Sequence, residues 1–485
     1  MKNRKITNMM LGLAGTVFAA ASVQAQSTTP APAPTPSLNQ TNAISLITNG
    51  AGTAAPGGTL WGYVFGDYAS MQHGDSAGRG TKIQYKGLGA AGNQQPASPN
   101  AFEVRRAYLG YNYNVNSKFS AYALLAYEGD YDVNNNRTVY LKYIYFKWKN
   151  IFKGSDLKIG QQATNSFANA YNTEPLMGYR ASEKTIMDMH GVDGSSDMGL
   201  ALEGKIVKFK CADTTKLPTF IGYSAMVGDN SGNTPVPVFT GAGTAPNLTT
   251  DLNKKFRANV YVNTLNGALT VGGYIDYINY GKALYSTNTL ANNWVPTNST
   301  STHLAEAVQT TKAYAVYNSK WVGIGVEWFT QSMSNGETET WAKGTTGKTN
   351  DTVNAVQTGI SLFAHGTIIQ NKLNIYARYD MYTPDANYSY NTTTSGGKTV
   401  IESFTTKMSN VGSISNTYNG VTSSVAGNTY KETFINAGLD WTPTTDKKVH
   451  FMPNIWYYGI NNGFGSGEKK SDNYMVYRLT FLCAF

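Results

Sequence analysis

The sequence predicts an all-β fold, a transmembrane antiparallel β-barrel of about 16 strands with short periplasmic turns and long extracellular loops. Three observations predict it. Period-two segments recur along the chain, each about as long as a tilted strand needs to cross a bilayer. The connections between them alternate long and short. The last segment ends on an aromatic residue, Phe485, with apolar or aromatic side chains alternating behind it.

The N-terminal elements prepare export. Lys2, Arg4 and Lys5 precede an apolar run from Met9 to Ala20 that is too short to span a bilayer. Val23 and Ala25 supply the small residues that signal peptidase requires before Gln26, so residues 1–25 are expected to be a removable signal peptide. No cysteine lies near this point, which argues against a lipid anchor. Residues 26–56, rich in Pro, Ala, Thr and Ser, read as a flexible periplasmic lead-in, and residues 57–485 as the barrel domain. A cell-wall-binding role for the lead-in is the alternative to a plain linker.

Composition narrows the class. Thirty-three tyrosines, eight tryptophans and forty-nine glycines accompany a negative mean hydropathy. No second long apolar run follows the signal. These features suit a barrel, in which only alternate residues meet lipid and aromatic residues gather at the two interfaces. Loss of the signal removes three cations and lowers the formal charge from +9 to +6. The lysines are dispersed and no nucleic-acid module is recognisable, so no nucleic-acid partner is expected. The two cysteines, Cys211 and Cys483, fall on segments far apart around a barrel and are expected to be free.

The strand segments lie near 59–69, 101–114, 117–129, 137–149, 155–161, 198–207, 217–228 and 255–264 in the first half. In the second half they lie near 267–280, 308–318, 320–332, 353–365, 371–382, 430–442, 447–458 and 471–485. Segments two and three are joined by little more than Asn114 to Lys118, eight and nine by Thr264 to Asn266, and ten and eleven by about Ser319. About thirty residues separate the first two segments, and nearly fifty separate thirteen from fourteen. Strict alternation of this kind implies an even-stranded barrel with both termini on one side. A soluble sandwich has no reason for it. In the last segment, the odd positions from Met475 to Phe485 are all apolar or aromatic. Such an ending resembles the signal by which the barrel-assembly machinery of the outer membrane recognises its substrates. As a soluble edge strand it would invite aggregation.

Short motifs add a family resemblance. Phe102-Glu103-Val104-Arg105-Arg106-Ala107-Tyr108-Leu109-Gly110, Leu157-Lys158-Ile159-Gly160-Gln161, Asp197-Met198-Gly199-Leu200 and Leu373-Asn374-Ile375-Tyr376-Ala377-Arg378-Tyr379-Asp380 occur in this order. In order and spacing the chain resembles the phosphate-selective porin O and P family, in a form like that of Bacteroidetes outer-membrane porins. The resemblance implies a water-filled channel in the Gram-negative outer membrane, surrounded by lipid, that passes small hydrophilic solutes and ions by passive diffusion. It also implies a homotrimer, and its name points to anions such as phosphate. Two departures stand against that last point. Gln162-Ala163-Thr164-Asn165 replace the aromatic, basic and proline residues that usually follow the second motif, and the mature chain has only eight arginines.

Parity sorts side chains into lipid-facing and lumen-facing sets. Phe256, Ala258, Val260 and Val262 share one face, which places Arg257 and Asn259 inside. Applied throughout, it directs Arg106, Lys142, Lys158, Arg257, Arg378 and Arg478 to the lumen. The acidic set is Glu128, Glu203, Asp276, Glu327, Asp380 and Asp440. Six cations against six anions give no net preference. Structural ion pairs, such as Arg378 with Asp380, are one reading of these residues, and a charge-selective path is the other. The third long connection, 162–196, carries Glu174, Arg180, Glu183, Lys184, Asp188 and Asp193. It is a candidate constriction folded into the barrel, with an ordinary exposed loop as the alternative. Asp188, His190 and Asp193 lack a visible fourth metal donor, so no metal is expected.

No cofactor motif, nucleotide loop or nucleophile signature is present, and none of the five histidines stands in a recognisable serine-histidine spacing. A non-enzymatic channel is therefore expected. The rival function is an adhesion or binding barrel that displays long polar loops such as Pro384 to Asn428 and Gly281 to Leu304.

Overall fold

Sixteen antiparallel strands close into one barrel in the computed structural model. The described residues are 44–45, 56–72, 100–129, 137–167, 184–209, 219–230, 253–265, 268–279, 285–288, 293–296, 307–343, 347–384, 386, 389–395, 398–408, 412–417, 430–462 and 471–485. The expected signal peptide and most of the lead-in lie outside them, as do Cys211, Glu174, Arg180 and Glu183.

The strands of the first half are Gly57–Met71 (β1), Asn100–Asn114 (β2), Phe119–Tyr127 (β3), Tyr140–Phe152 (β4), Ser155–Ala163 (β5), Ser196–Phe209 (β6), Thr219–Gly228 (β7) and Lys255–Thr264 (β8). Those of the second half are Leu269–Asn279 (β9), Ala307–Asn318 (β10), Val322–Lys343 (β11), Gly347–Ile369 (β12), Leu373–Thr383 (β13), Tyr430–Trp441 (β14), Val449–Asn462 (β15) and Ser471–Ala484 (β16). Each pairs with its successor, and β1 pairs with β16 from Tyr63↔Ala484 to Met71↔Val476. Closure gives every strand two partners, as lipid demands of a spanning backbone. At the seam Gly62 and Phe485 exchange backbone hydrogen bonds of 3.2 and 2.9 Å. Where β16 has ended, Ile44 and Ser45 pair with Leu60 and Thr59.

Short turns gather at one end. Asn116 Oδ1 accepts from the Lys118 and Phe119 amides, and Ser319 Oγ accepts from the Val322 amide. These side chains supply the acceptors that a tight turn cannot find in a neighbouring strand. At the opposite end, β11 and β12 continue well beyond the segments expected from periodicity. Pairing runs out to Lys343↔Gly347 after a register shift between Met333 and Glu337. The sequence there is polar and carries no period-two hydrophobic signal.

The outward face is apolar. Leu109, Leu125, Ile144, Ile159, Leu200, Val260, Val271, Ile324, Ile375, Leu439 and Leu479 are exposed on alternate positions of their strands. Tyr111, Tyr113, Trp148, Phe152, Trp321, Trp441 and Phe451 form an outer aromatic band at the short-turn end. Tyr68, Phe102, Phe256, Tyr277 and Tyr477 lie toward the long-loop end. An apolar belt between two aromatic girdles is the exterior of a membrane-spanning barrel.

Among the bulges, two change which charged side chains face inward. Phe65 and Gly66 pair with Arg106 and Val104, so Arg105 is an extra residue. Leu124 and Leu125 pair with Tyr143 and Leu141, so Lys142 is extra. At each bulge two successive side chains point inward.

Gly160 in β5 has φ +126°, and a Cβ there would lie 2.5 Å from the Ile144 carbonyl oxygen. Gly160→Ala should cost about 1–3 kcal/mol, read as a lower urea midpoint for the refolded barrel. Gly273→Ala in β9 meets only the Lys312 carbonyl at 3.6 Å and should leave the midpoint unchanged.

Candidate functional site

The inner wall is a series of ion clusters. On β1, β2 and β16, Arg105 and Arg478 both pair with the buried carboxylate of Asp67, which also accepts from Thr480 Oγ1 at 2.5 Å. The Arg478 guanidinium lies 3.8 Å from the Trp456 ring centroid, and that of Arg105 lies 4.4 Å from Phe65. Arg106 reaches over the same Phe65 ring at 5.9 Å. Lys142 pairs with Glu128 at 2.5 Å. Near the short turns, Lys147 bridges Asp156 at 2.8 Å and Glu203 at 3.1 Å, while Lys158 reaches Glu203 at 2.7 Å. Lys312 pairs with Glu327 at 3.0 Å. Arg378 Nε donates to Asp380 at 2.9 Å, and His450 Nδ1 lies 2.8 Å from Asp440. Strand geometry alone puts these groups together, because facing residues on adjacent strands share a side of the wall.

The third long connection folds into this interior. Its described part runs through residues 164–167 and 184–195, including a single helical turn, Ile186–Met189 (α1), capped by Thr185 Oγ1. Ile186, Met187 and Val192 are buried with Phe167, Tyr274, Phe329 and Tyr382. Met189 packs on the inward cluster that contains Phe434 and Trp456. The polar anchors come from strands around much of the barrel. Tyr143 Oη donates to the Ser195 carbonyl at 3.2 Å, Gln331 Nε2 to the Val192 carbonyl at 2.9 Å, and Arg378 to the Lys184 carbonyl at 2.5 Å. The His190 ring stacks on Tyr382 with centroids 3.5 Å apart and an interplanar angle of 9°. Its Nε2 is 3.7 Å from Glu432.

Asp193 is the strongest of these anchors. Its carboxylate accepts from Lys255 Nζ at 3.0 Å, from Arg257 Nε at 3.0 Å and Nη2 at 3.1 Å, and from Tyr274 Oη at 3.2 Å. Arg257 Nη1 also donates to Asp197 at 2.7 Å, and Lys255 reaches Asp276 at 3.1 Å. Burial alone would raise the Asp193 carboxyl. Lys255, and after it Arg257, outweigh burial and hold it well below the usual carboxylate range.

All twelve wall residues named from parity lie on the barrel strands or directly beside one, and eleven of them sit in the ion clusters just described. Arg106 sits beside the Asp67 cluster. Of the loop residues, Lys184 lies 3.7 Å from Asp188, and Asp193 is the anchor. Asp188, His190 and Asp193 turn to different partners, and no metal-binding group of His, Cys, Asp or Glu occurs among the described residues. His450 has Nε2 2.9 Å from the Lys447 carbonyl oxygen and Nδ1 2.8 Å from Asp440. Sequence reasoning missed Asp67, Arg105, Lys147, Asp156, Lys255, Lys312 and Glu432. Strict parity excludes Arg105 and Lys147, because the bulges shift their phase. Lys255 is two residues from Arg257 on the same face, a spacing that would have found it.

No family model and no curated protein matches the chain. The phosphate-selective porin family therefore remains a resemblance. Solved structures with a similar trace include the outer membrane channel DcaP of Acinetobacter baumannii, at 11% identity and TM-score 0.48, covering 91% of this chain and all of that one. OprB of Pseudomonas putida has 12% identity and TM-score 0.46, covering 88% of this chain and 94% of that one. An anion-selective porin from Comamonas acidovorans has 11% identity and TM-score 0.45, covering 89% of this chain and all of that one.

Removing the Asp193 carboxylate leaves Lys255 with Asp276 and Arg257 with Asp197, but it breaks the charged hydrogen bonds that tie Asp193 to β8. Asp193→Asn should cost about 1.5–3 kcal/mol, as for hydrogen bonds to charged groups, and expose residues 184–195 to limited proteolysis in an otherwise closed barrel. A depressed carboxyl contributes stability that is complete above its unfolded value of about 4. The contribution is lost as pH falls through the lower folded value. The loop should accordingly stay protease-resistant at pH 5 and loosen only in stronger acid.

Proposed function

We propose that the chain is an outer-membrane porin of a Gram-negative bacterium, a water-filled channel for passive diffusion of small hydrophilic solutes and ions. One observation carries this reading. The outward face is apolar around the wall, while the inward face carries ion-paired side chains on β1, β2, β4–β6, β8–β11, β13, β14 and β16, and at Glu128 just past β3. A barrel of sixteen strands is wide enough to hold water between such walls. The in-folded connection narrows the passage, and its ion-paired ends keep it from swinging free.

Charge is distributed unevenly across that passage. Among the described inward side chains, and apart from the neutral cluster of Lys147, Lys158, Asp156 and Glu203, β16 and β1–β4 carry Arg105, Arg106, Lys142 and Arg478 against Asp67, Glu103 and Glu128. The side that holds the loop carries Lys184, Lys255, Arg257, Lys312 and Arg378 against Asp188, Asp193, Asp197, Asp276, Glu327, Asp380 and Glu432. Anions, phosphate among them, are drawn along the arginine side and cations along the loop side, so selectivity is weak overall. A homotrimer is the assembly that the family resemblance implies, and chemical crosslinking in detergent gives its subunit number.

Pure protein in planar bilayers should show stable ion-conducting pores, and a protein that forms none contradicts the proposal. Replacing Arg106 and Arg478 with Gln should shift the reversal potential in a KCl gradient toward cation selectivity. The anion-to-cation permeability ratio should fall by about threefold, the factor carried by roughly one kT of potential.

A further inference from the structure

Near the short-turn mouth, four ion-paired side chains adjoin a strip of inward tyrosines, and the ion-selective reading uses neither. Lys147, Lys158, Asp156 and Glu203 keep between 21% and 33% of their side-chain surface, in contrast to the buried loop anchors. Two cations and two anions cancel, so the cluster offers hydrogen-bond donors and acceptors but no net charge. Tyr145 stands beside it, with Lys158 Nζ 5.5 Å from the ring centroid. Its partner on β5 is Gly160, which has no side chain to cover the ring.

From Tyr145 the rings continue up the wall. Tyr122 follows, with centroids 5.2 Å apart and planes at 33°. Tyr143 lies 6.2 Å beyond at 36°, and Trp61 lies 6.5 Å from Tyr122 at 23°. Tyr108, Tyr122, Tyr143 and Tyr145 are all partly exposed. The strip ends near mid-wall at a second polar cluster, where Lys142 Nζ donates to Tyr108 Oη at 3.1 Å.

We infer that this strip is a weak binding track for neutral ring polyols, the pyranose sugars and short oligosaccharides. The inference rests on the diffusion-channel reading and names a solute class for it. A pyranose presents a face of weakly positive C–H groups, which suits the negative face of an aromatic ring, and a rim of hydroxyls, which suits ammonium donors and carboxylate acceptors. An ion pair with zero net charge favours a neutral solute over an ion. Several rings in sequence give several shallow sites, the condition under which binding assists passage without trapping the solute.

The test uses the mature protein in planar bilayers, with maltotriose, D-mannitol and benzoate as probes. Maltotriose should block the ion current saturably. Mannitol, with hydroxyls but no ring, should not. In Tyr122→Ala/Tyr145→Ala the half-blocking concentration should rise about tenfold, or about 1.4 kcal/mol, while ion conductance is kept. Tyr122→Phe/Tyr145→Phe, which preserves the rings, should stay close to the parent. Pores with no maltotriose block, equal block by mannitol, or block by benzoate in place of maltotriose each overturn the inference and leave the channel reading intact. Absence of pores overturns both. The comparison of the three probes on the unaltered protein requires no variant to fold.

Discussion

Inside a bilayer a strand has to find its hydrogen-bond partners on neighbouring strands, because lipid offers none. That constraint organises this molecule. It requires β1 to meet β16, and Gly62 provides the close approach that lets the Phe485 backbone complete the seam. It also assigns each side chain to one of two solvents. The lipid face is apolar and aromatic, and charged groups are confined to the interior, which they share with buried apolar clusters such as that of Phe65 and Met452; there each must be neutralised by a neighbour across the wall or by a segment brought in from a connection.

The in-folded connection follows from the same reasoning. Lys255 and Arg257 share one face of β8, where Asp276 pairs with the first and Asp197 with Nη1 of the second. Asp193 accepts from Lys255 Nζ and from the remaining Nε and Nη2 donors of Arg257, and brings its backbone with it. Ile186, Met187 and Val192 then bury apolar surface on the barrel wall, which stabilises the loop by roughly 1.5–3 kcal/mol for each large side chain. Electrostatics fixes where the loop lands, and apolar burial keeps it there.

Much of this was legible in the sequence. Lys255–Thr264 was read with its observed bounds, because alternation is clean there and a short turn follows it. That the number of strands is even followed from the alternation of long and short connections, and sixteen from counting the period-two segments. Strict parity placed Arg106 and Lys142 but lost Arg105 and Lys147, because one residue is inserted at Arg105 and one at Lys142 and a period-two pattern has no local marker for the change of phase. The extended part of the β11–β12 hairpin was invisible for another reason: backbone pairing needs no hydrophobic alternation once the strands leave the membrane. Asp193 stood out as an acid on the right connection, but its partnership with Lys255 and Arg257 depends on contacts some sixty residues apart, which spacing does not encode.

The central claim is that residues 184–195 lie inside the barrel. Hydroxyl-radical footprinting of the protein in lipid vesicles tests it most directly, because Met187 is fully buried against the inner wall. The account predicts that Met187 resists oxidation until the barrel unfolds. Oxidation of Met187 in the folded protein, as fast as that of a free methionine, would contradict it.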